Sequence, residues 1–480
     1  MCGKFRKGEN MLQILLIKDI RLLLKDLKFQ VFFLIMVALF ILSAISSSVT
    51  YKAFVQEYQE NFNAHQTTIN DGRSLSLIRM LNRERLISVN DMPSPAVLFN
   101  IYDNYPNRLE NDIMFYNPGV SKYGKGRAAA FHLNWYFILG ILTGFIMLVM
   151  SFEAVSSEKR SGTLRLLSLS GFKRQNILWC KYISYMLLYI IITIPPALIS
   201  MILFFALTAT WDITYMMQFL LILLLSIPFA SFFTFLGMFI SMAKNYRTAI
   251  VIVVFIWLLF VVIIPQSATI FGKQIAPIKT STEYRENGRA AWSDEWDTWF
   301  EKYTYKVGGN SDITDGLRAA AVYASDEKSI LVQMQAQDDY KRQLKAIEQI
   351  AQLSPFTQFD RISEIIFDKG SYLFAYQQET MKNTIAQIRN LIIEQDKKDE
   401  TSYNLFYSWA IGDGGNLLDG TTAFSKQMFD HPNLLFISNT PTDDPANKIL
   451  KIIIRLLPII ILNLLLILGS VVKLERLDIR

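Results

Sequence analysis

Five stretches of this chain, 29–49, 131–152, 182–208, 216–242 and 248–267, contain no Asp, Glu, Lys or Arg. A bilayer core of about 30 Å is crossed by about 20 apolar residues in a helix, so each stretch is long enough to span. Helices buried in a soluble protein do not explain five uninterrupted apolar runs beyond about 18 residues. A sixth stretch, 449–472, is imperfect, because Lys451 and Arg455 stand one helical turn apart near its start. A cation at the bilayer centre costs about 3 kcal/mol on insertion scales. Near an end the same side chain can reach the headgroups, and Leu456 to Val472 still suffices to cross. The expected fold class is membrane all-α, with six transmembrane helices and a mainly α-helical extracytoplasmic domain.

The rest of the composition agrees. Charged residues are 19% of the chain, below the roughly 25% of soluble domains. The formal charge is 48 − 42 = +6. The basic residues form no continuous helical stripe, so nucleic acid is not an expected partner and membrane lipid is. Two cysteines, Cys2 and Cys180, exclude a disulfide scaffold, and three histidines exclude most His-based metal sites. The apolar run after Lys28 is too long for a cleaved signal peptide. Met11, which opens the first apolar pattern, is a candidate natural start.

Short-loop charge sets the orientation. Lys18, Arg21, Lys25 and Lys28 precede the first span. Segment 153–181 holds Lys159, Arg160, Arg165, Lys173, Arg174 and Lys181 against Glu153 and Glu158. Lys244 and Arg247 lie between the fourth and fifth spans, and Lys473, Arg476 and Arg480 follow the sixth. Six alternating helices put all four groups on one side, the cytoplasm by the positive-inside rule. Both termini are then cytoplasmic, in a multi-pass membrane protein. Lys448, Lys451 and Arg455 are exceptions, but they adjoin a long loop, where the rule is weak. Trp135, Tyr182, Trp211 and Tyr215 near span ends suggest aromatic belts. Pro195, Pro196, Pro228 and Pro458 inside spans imply kinks.

Three pieces lie outside the spans. Residues 11–28 repeat apolar side chains at helical spacing between Lys18, Asp19, Arg21, Lys25 and Asp26. They read as a cytoplasmic interfacial helix, the alternative being an extension of the first span. Insertions 50–130 and 268–448 become extracytoplasmic, and 473–480 is a cytoplasmic tail. In the second insertion, Ile330, Met334, Leu344, Ile347 and Ala351 share one helical face. Phe359, Ile362, Ile366, Met381, Ile385, Ile388 and Ile392 suggest another, after a break at Leu353-Ser354-Pro355. The expectation is a helical hairpin or two packed helices. Trp292, Trp296 and Trp299 read as a buried face, with a partner surface as the alternative. Residues 401–447, with Gly412, Gly414, Gly415 and Gly420, look loop-rich.

Motifs for chemistry fail one by one. Gly119 to Gly126 nearly matches a P-loop, but it lacks the Ser/Thr that holds magnesium and a leading strand. Asp312 and Asp315 have the wrong spacing for a calcium loop. His65, His132 and His431 stand alone. Gly140 and Gly144 form one small-xxx-small match, near chance for six apolar spans. No catalytic, cofactor-binding or metal-binding residues are expected, and the chain is not expected to be an enzyme.

The informative segment follows the second span: Glu153, Glu158, Gly162-Thr163-Leu164, Leu166-Leu167, Arg174 and Lys181. This resembles the cytoplasmic segment of ATP-binding-cassette permeases of the second type, with the type V exporter fold. It departs at Ser170-Gly171, where many relatives have Pro. The amphipathic start is similar to that family's elbow helix. Pro93-Ser94-Pro95 and Leu353-Ser354-Pro355 look like motifs of a subfamily with two large extracytoplasmic insertions. The resemblance implies a coupling helix on a cytoplasmic ABC ATPase subunit, which binds the ATP and magnesium. It places Glu153, Glu158, Gly162, Thr163, Leu164, Leu166, Leu167, Arg174 and Lys181 in that coupling, and lets Glu153 and Glu158 pair with ATPase charges. It implies a homodimer, or a heterodimer with a similar permease, and export of an unidentified substrate. The alternative is an ATP-driven interaction complex that moves an envelope partner without translocating cargo.

Overall fold

The structure, a computed structural model, describes residues 2–71, 88–89, 94–99, 133–170, 173–242, 246–304, 315–368, scattered positions between 372 and 398, 436–437 and 444–476. The P-loop-like run at 119–126, Asp312, Gly171, His132, His431, the glycines of 412–420 and the face from Met381 to Ile392 lie outside them.

Two helices open the chain. α1 (Cys2–Lys25) ends at Asp26, whose carboxylate accepts from the Lys28 amide at 3.0 Å and so starts α2 (Leu27–Asp71). A 45-residue helix is about 67 Å long. α2 therefore carries the first apolar stretch well past any bilayer. Its buried positions Met36, Phe40, Ala44 and Tyr51 recur at helical spacing. The second apolar stretch is a π-helical run, Tyr136–Leu142, continued by α3 (Thr143–Ser151). Two short helices follow, α4 (Ser156–Arg160) and α5 (Thr163–Leu169). The long α6 (Arg174–Thr208) and α7 (Ile213–Ser241) come next. The fifth stretch is α8 (Tyr246–Leu258), a π-turn (Leu259–Ile263) and α9 (Ile264–Ile275). Outside the apolar bundle lie α10 (Ser281–Thr304) and α11 (Asp315–Ala351), followed by α12 (Pro355–Phe367). α13 (Pro445–Glu475) ends the described chain. β1 (Ser88–Val89) and β2 (Phe436–Ile437) form one short parallel pair. Among the described residues six helices are long and apolar enough to cross a membrane. The fold is membrane all-α.

Polar side chains stitch the apolar helices together. Trp135 Nε1 donates to Ser200 Oγ at 3.0 Å, and its ring meets Phe40 and Phe219 edge-on. Trp135 is thus a core residue, contrary to the belt expected from its position near a span end. Tyr182 also turns inward: it stacks on Phe235 at 4.1 Å and shares a hydrogen bond with Ser231. Ser231 Oγ donates to Asn463 Oδ1, and Asn463 Nδ2 donates to the Pro228 carbonyl at 3.0 Å. Such bonds join helices where lipid offers no competing partner. Pro195, Pro196, Pro228 and Pro458 all sit inside continuous helices.

Gly140 and Gly144 each lie against an aromatic ring. A Cβ at Gly140 would lie 2.9 Å from the Phe356 ring, and one at Gly144 2.9 Å from Phe233. Both glycines face aromatic side chains with no room to spare.

α12 is the other correction. Ser354 caps it, accepting from the Thr357 amide, and Pro355 pre-sets its first turn. The hairpin partner of α11 is α10, through Tyr284 Oη donating to Asp339 at 2.6 Å and Lys328 opposite Glu295. Stacked Trp292 and Trp296 are half-buried on α10. α12 instead packs against the apolar bundle. Phe359 stacks on Phe229 at 4.9 Å, Phe367 meets Phe99 and Phe219, and Ser354 Oγ donates to the Phe260 carbonyl in the second π-turn. Its aromatic face finds aromatic partners on the spans that the charged surface of α11 does not offer.

The cations of α13 that broke the positive-inside pattern are accounted for by the same region. Arg455 pairs with Glu348 at 2.9 Å, Lys448 with Asp368 at 2.6 Å, and Lys451 lies over the Tyr372 ring. Beside them, burial and the Glu364 carboxylate push the Asp360 carboxyl up to about 7, against the pull of Arg361. Its unfolded value is near 4, so the folded chain holds the extra proton. The stabilisation is complete below about pH 4 and is lost as pH rises through about 7. Asp360→Asn should flatten the fall in unfolding midpoint between pH 5.5 and 8, followed by intrinsic fluorescence in detergent. An unaltered slope would show that another group titrates. Gly237→Ala should lower the midpoint by the equivalent of about 1–3 kcal/mol, because its Cβ would fall 2.0 Å from Ser151 Oγ and 3.1 Å from the Leu148 carbonyl.

Candidate functional site

The second half of α1, the last turn of α13 and the segment 153–170 meet at one end of the bundle. α3 stops at Ser151, and the backbone turns before α4. The start of α4 is capped from a distant helix: Ser241 Oγ, at the last residue of α7, accepts from the Val155 and Ser156 amides at 2.8 and 2.9 Å. Two of the donors that every helix start leaves unsatisfied are so bonded. The cap also fixes α4 to α7.

Three charged side chains lock the segment from below. Lys181, in α6, places its ammonium 2.6 Å from Glu158 Oε1 and 3.1 Å from Asp19 Oδ2. Asp19 is 2% exposed, and Glu158 is buried. One cation thus ties α1, α4 and α6 together. Glu153 pairs with Lys28 at 3.0 Å, at the start of α2. That pair is half-exposed, and such pairs contribute at most about 1 kcal/mol. The two carboxylates flagged in the sequence are therefore engaged within the chain. Their geometry suits positioning rather than direct contact with a partner.

Gly162 makes the turn out of α4. Its φ of +73° is left-handed, a region that side-chain-bearing residues enter at a cost. Ser161 Oγ and Thr163 Oγ1 both donate to the Glu158 carbonyl, at 3.2 and 3.3 Å. The turn starts α5 in a defined direction. Leu164 then points inward and is buried, and Leu167 packs against the core. Leu166 and Leu169 point away, 63% and 76% exposed, with Arg165 exposed beside them. Lys159 and Arg160 are exposed on α4. The result is a short apolar knob with cations around it.

Arg174 is engaged elsewhere. Its guanidinium donates to the Leu474 and Glu475 carbonyls at 3.1 and 2.9 Å, where α13 ends. Gln175 Nε2 adds a bond to Glu475 Oε1. Lys473 donates to the Phe239 carbonyl at 3.0 Å and lies over that ring. Of the nine flagged residues, Glu153, Glu158, Gly162, Thr163, Leu164, Leu166 and Leu167 share the segment 153–170 that carries α4 and α5. Lys181 joins them through Glu158, and Arg174 serves the end of α13. Asp19 and Ser241 were missed. Asp19 had a signal, since it follows Leu15 by four residues and so shares its buried face. Ser241 had none.

Lys181→Met leaves two carboxylates facing each other without a cation. Breaking a buried pair in this way costs about 3–5 kcal/mol. The expected outcome is a lower unfolding midpoint and faster tryptic cleavage at Lys159 and Arg160. Adding Asp19→Asn should restore part of the loss, and strict additivity of the two changes would show that they are not coupled.

A family model described as "ABC-2 family transporter protein" matches residues 13–388, from α1 to beyond α12. No curated protein and no solved structure gives a significant match.

Proposed function

The chain belongs to the ABC-2 transporter family, and from that premise we propose that it is the permease subunit of an ABC exporter, driven by a separate cytoplasmic ATPase. The knob of Leu166 and Leu169 is the feature that carries this reading. Two large apolar side chains exposed one turn apart on a short loop helix suit an apolar groove on a partner. Lys159, Arg160 and Arg165 around them suit an acidic rim on the ATPase groove.

The anchoring of the segment supports transmission. A push on α5 passes through Leu164 to the core, through Ser241 to α7, through Lys181 to α6 and through Asp19 to α1. Glu158 and Lys181 act as positioning residues that make the segment stiff enough to transmit. ATP and magnesium belong to the partner. Sidedness follows from the basic clusters, with both termini and the knob in the cytoplasm of a bacterial inner membrane. The sparsely buried faces of the first, fifth and sixth spans suit a second permease chain, alike or different. Export rests on the family resemblance.

One observation favours the second reading, an assembly that drives an envelope partner. α2 runs unbroken from Leu27, beside the Lys28–Glu153 pair, to Asp71. Movement at its start is carried beyond the bilayer without cargo. A co-purifying envelope protein, with no ATP-dependent cargo movement in vesicles, would favour it.

Leu166→Asp with Leu169→Asp should reduce co-purification of the ATPase about tenfold or more. The unfolding midpoint should stay unchanged, because both side chains are exposed. Undiminished complex yield and ATPase stimulation would overturn the docking site.

A further inference from the structure

Two stretches of sequence, 354 − 94 = 260 positions apart, carry the same pattern. Residues 94–99 (SPAVLF) and 354–359 (SPFTQF) both read Ser-Pro, three residues, Phe. Both fold alike. Ser94 and Ser354 are N-caps whose hydroxyl oxygens accept from the Ala96 and Thr357 amides, at 3.1 and 3.4 Å. Pro95 and Pro355 each open the helical turn that follows, a 3-10 turn (Pro95–Leu98) in one case and α12 in the other. Phe99 and Phe359 are both buried, and their ring centres lie 6.5 Å apart. Both stretches also hold Tyr136, where the first π-run begins. The Phe99 carbonyl accepts from the Tyr136 amide at 2.9 Å, and the Phe356 ring lies 5.5 Å from that of Tyr136. One stretch comes from each long insertion, and together they clasp the second span.

An acid sits inside this clasp. Asp360 follows Phe359 and keeps some accessible surface, so protons reach it. On its own helix it faces Arg361 and Glu364, which pair with each other at 2.6 Å. The second span brings Tyr136, and α11 brings Glu348, 4.0 Å from Arg361. α13 brings Arg455, held by Glu348 at 2.9 Å, with Lys451 over Tyr372 and Lys448 paired to Asp368 beyond it. The 94–99 stretch, the stretch 219–233 of α7 and the second π-turn contain no titratable side chain. Around Arg361 the two guanidinium groups meet three carboxylates, Glu348, Asp360 and Glu364, a balance of 2 − 3 = −1. The cluster is one cation short, and a proton supplies the missing charge.

We propose that α12 and the 94–99 stretch form a proton-sensitive latch, seated on the spans while Asp360 is protonated and released when it ionises. An ionised Asp360 places a second negative charge beside Glu364, next to a seat made of aromatic rings, where desolvation and like charge both disfavour it. A released α12 returns the carboxyl to water and to its ordinary value near 4. In the seated state it is raised to about 7. The seat therefore holds the extra proton, is firm in acid, and weakens as pH rises through about 7. The latch does not depend on ATPase docking, and it would stand if the knob had no partner.

The test is hydrogen–deuterium exchange of the full chain in lipid nanodiscs at pH 6 and pH 8, corrected for the chemical exchange rate. Amides of 96–99 and 357–367 should lose protection together at pH 8, by about tenfold, the ratio for a proton held at about 7 when seated and near 4 when released. Amides of 219–235 in α7 should not change. Asp360→Asn should keep the pH 6 protection at both values. Equal protection at the two pH values, or a loss that survives in Asp360→Asn, would overturn the proton's role. Loss confined to one of the two stretches would overturn the latch as a unit, and an equal loss in α7 would show general loosening instead. If Asp360→Asn fails to fold, Glu364→Gln decides. It removes the like charge and leaves Arg361 to Asp360, so the loss should move about one pH unit lower; an unmoved loss would exclude Asp360 as the titrating group.

Discussion

One ammonium group organises the end of the bundle where α1, α4 and α6 meet. Lys181 reaches Glu158 and Asp19 together, and both carboxylates are sequestered from water. Burying charge is costly unless it is compensated, and removal of Lys181 leaves both carboxylates stranded. The three helices that contribute the charges must therefore keep their relative placement. Everything displayed beyond them inherits that rigidity: the turn at Gly162, the short helix after it and its two outward leucines. Without such a lock, a five-residue and a seven-residue helix would be too short to hold a direction.

The opposite end of the bundle is organised by shape. α12 inserts aromatic side chains between apolar helices, and it does so at their two irregularities. Phe356 fills the space over Gly140 in the first π-run, and Ser354 donates to the Phe260 carbonyl in the second π-turn. A π-turn widens the helix and displaces backbone groups from their usual ladder, and such turns are frequent at functional sites. Here they make a socket. α12 is joined on one side to long helices outside the bundle and on the other to the spans.

The cations of α13 show how an apparent exception can be a design feature. Lys448, Lys451 and Arg455 contradict a simple charge rule, yet each meets an acid or an aromatic ring. Their partners come from α11, from the end of α12 and from Tyr372. The charge rule reads short loops only. It has nothing to say about a cation whose partner comes from a long insertion.

The number of spans and the all-helical class are local properties. A run of twenty uncharged residues announces a membrane helix regardless of what surrounds it, and five of the six runs needed no other information. The importance of 153–181 was legible too, because the Gly-Thr-Leu run and its acidic and basic neighbours stand close together in the chain. The partners of those residues were not. Trp135 meets Ser200 across 65 positions, Val155 meets Ser241 across 86, and Ser231 meets Asn463 across 232. No periodicity encodes such pairs. The sequence by itself determined that the chain lives in a bilayer and which loop bears an unusual motif. The tertiary structure decided that Glu158 and Lys181 face inward, that Leu166 and Leu169 face outward, and that α12 sits among the spans. Apolarity is carried by each residue alone, whereas direction exists only once the helices are packed.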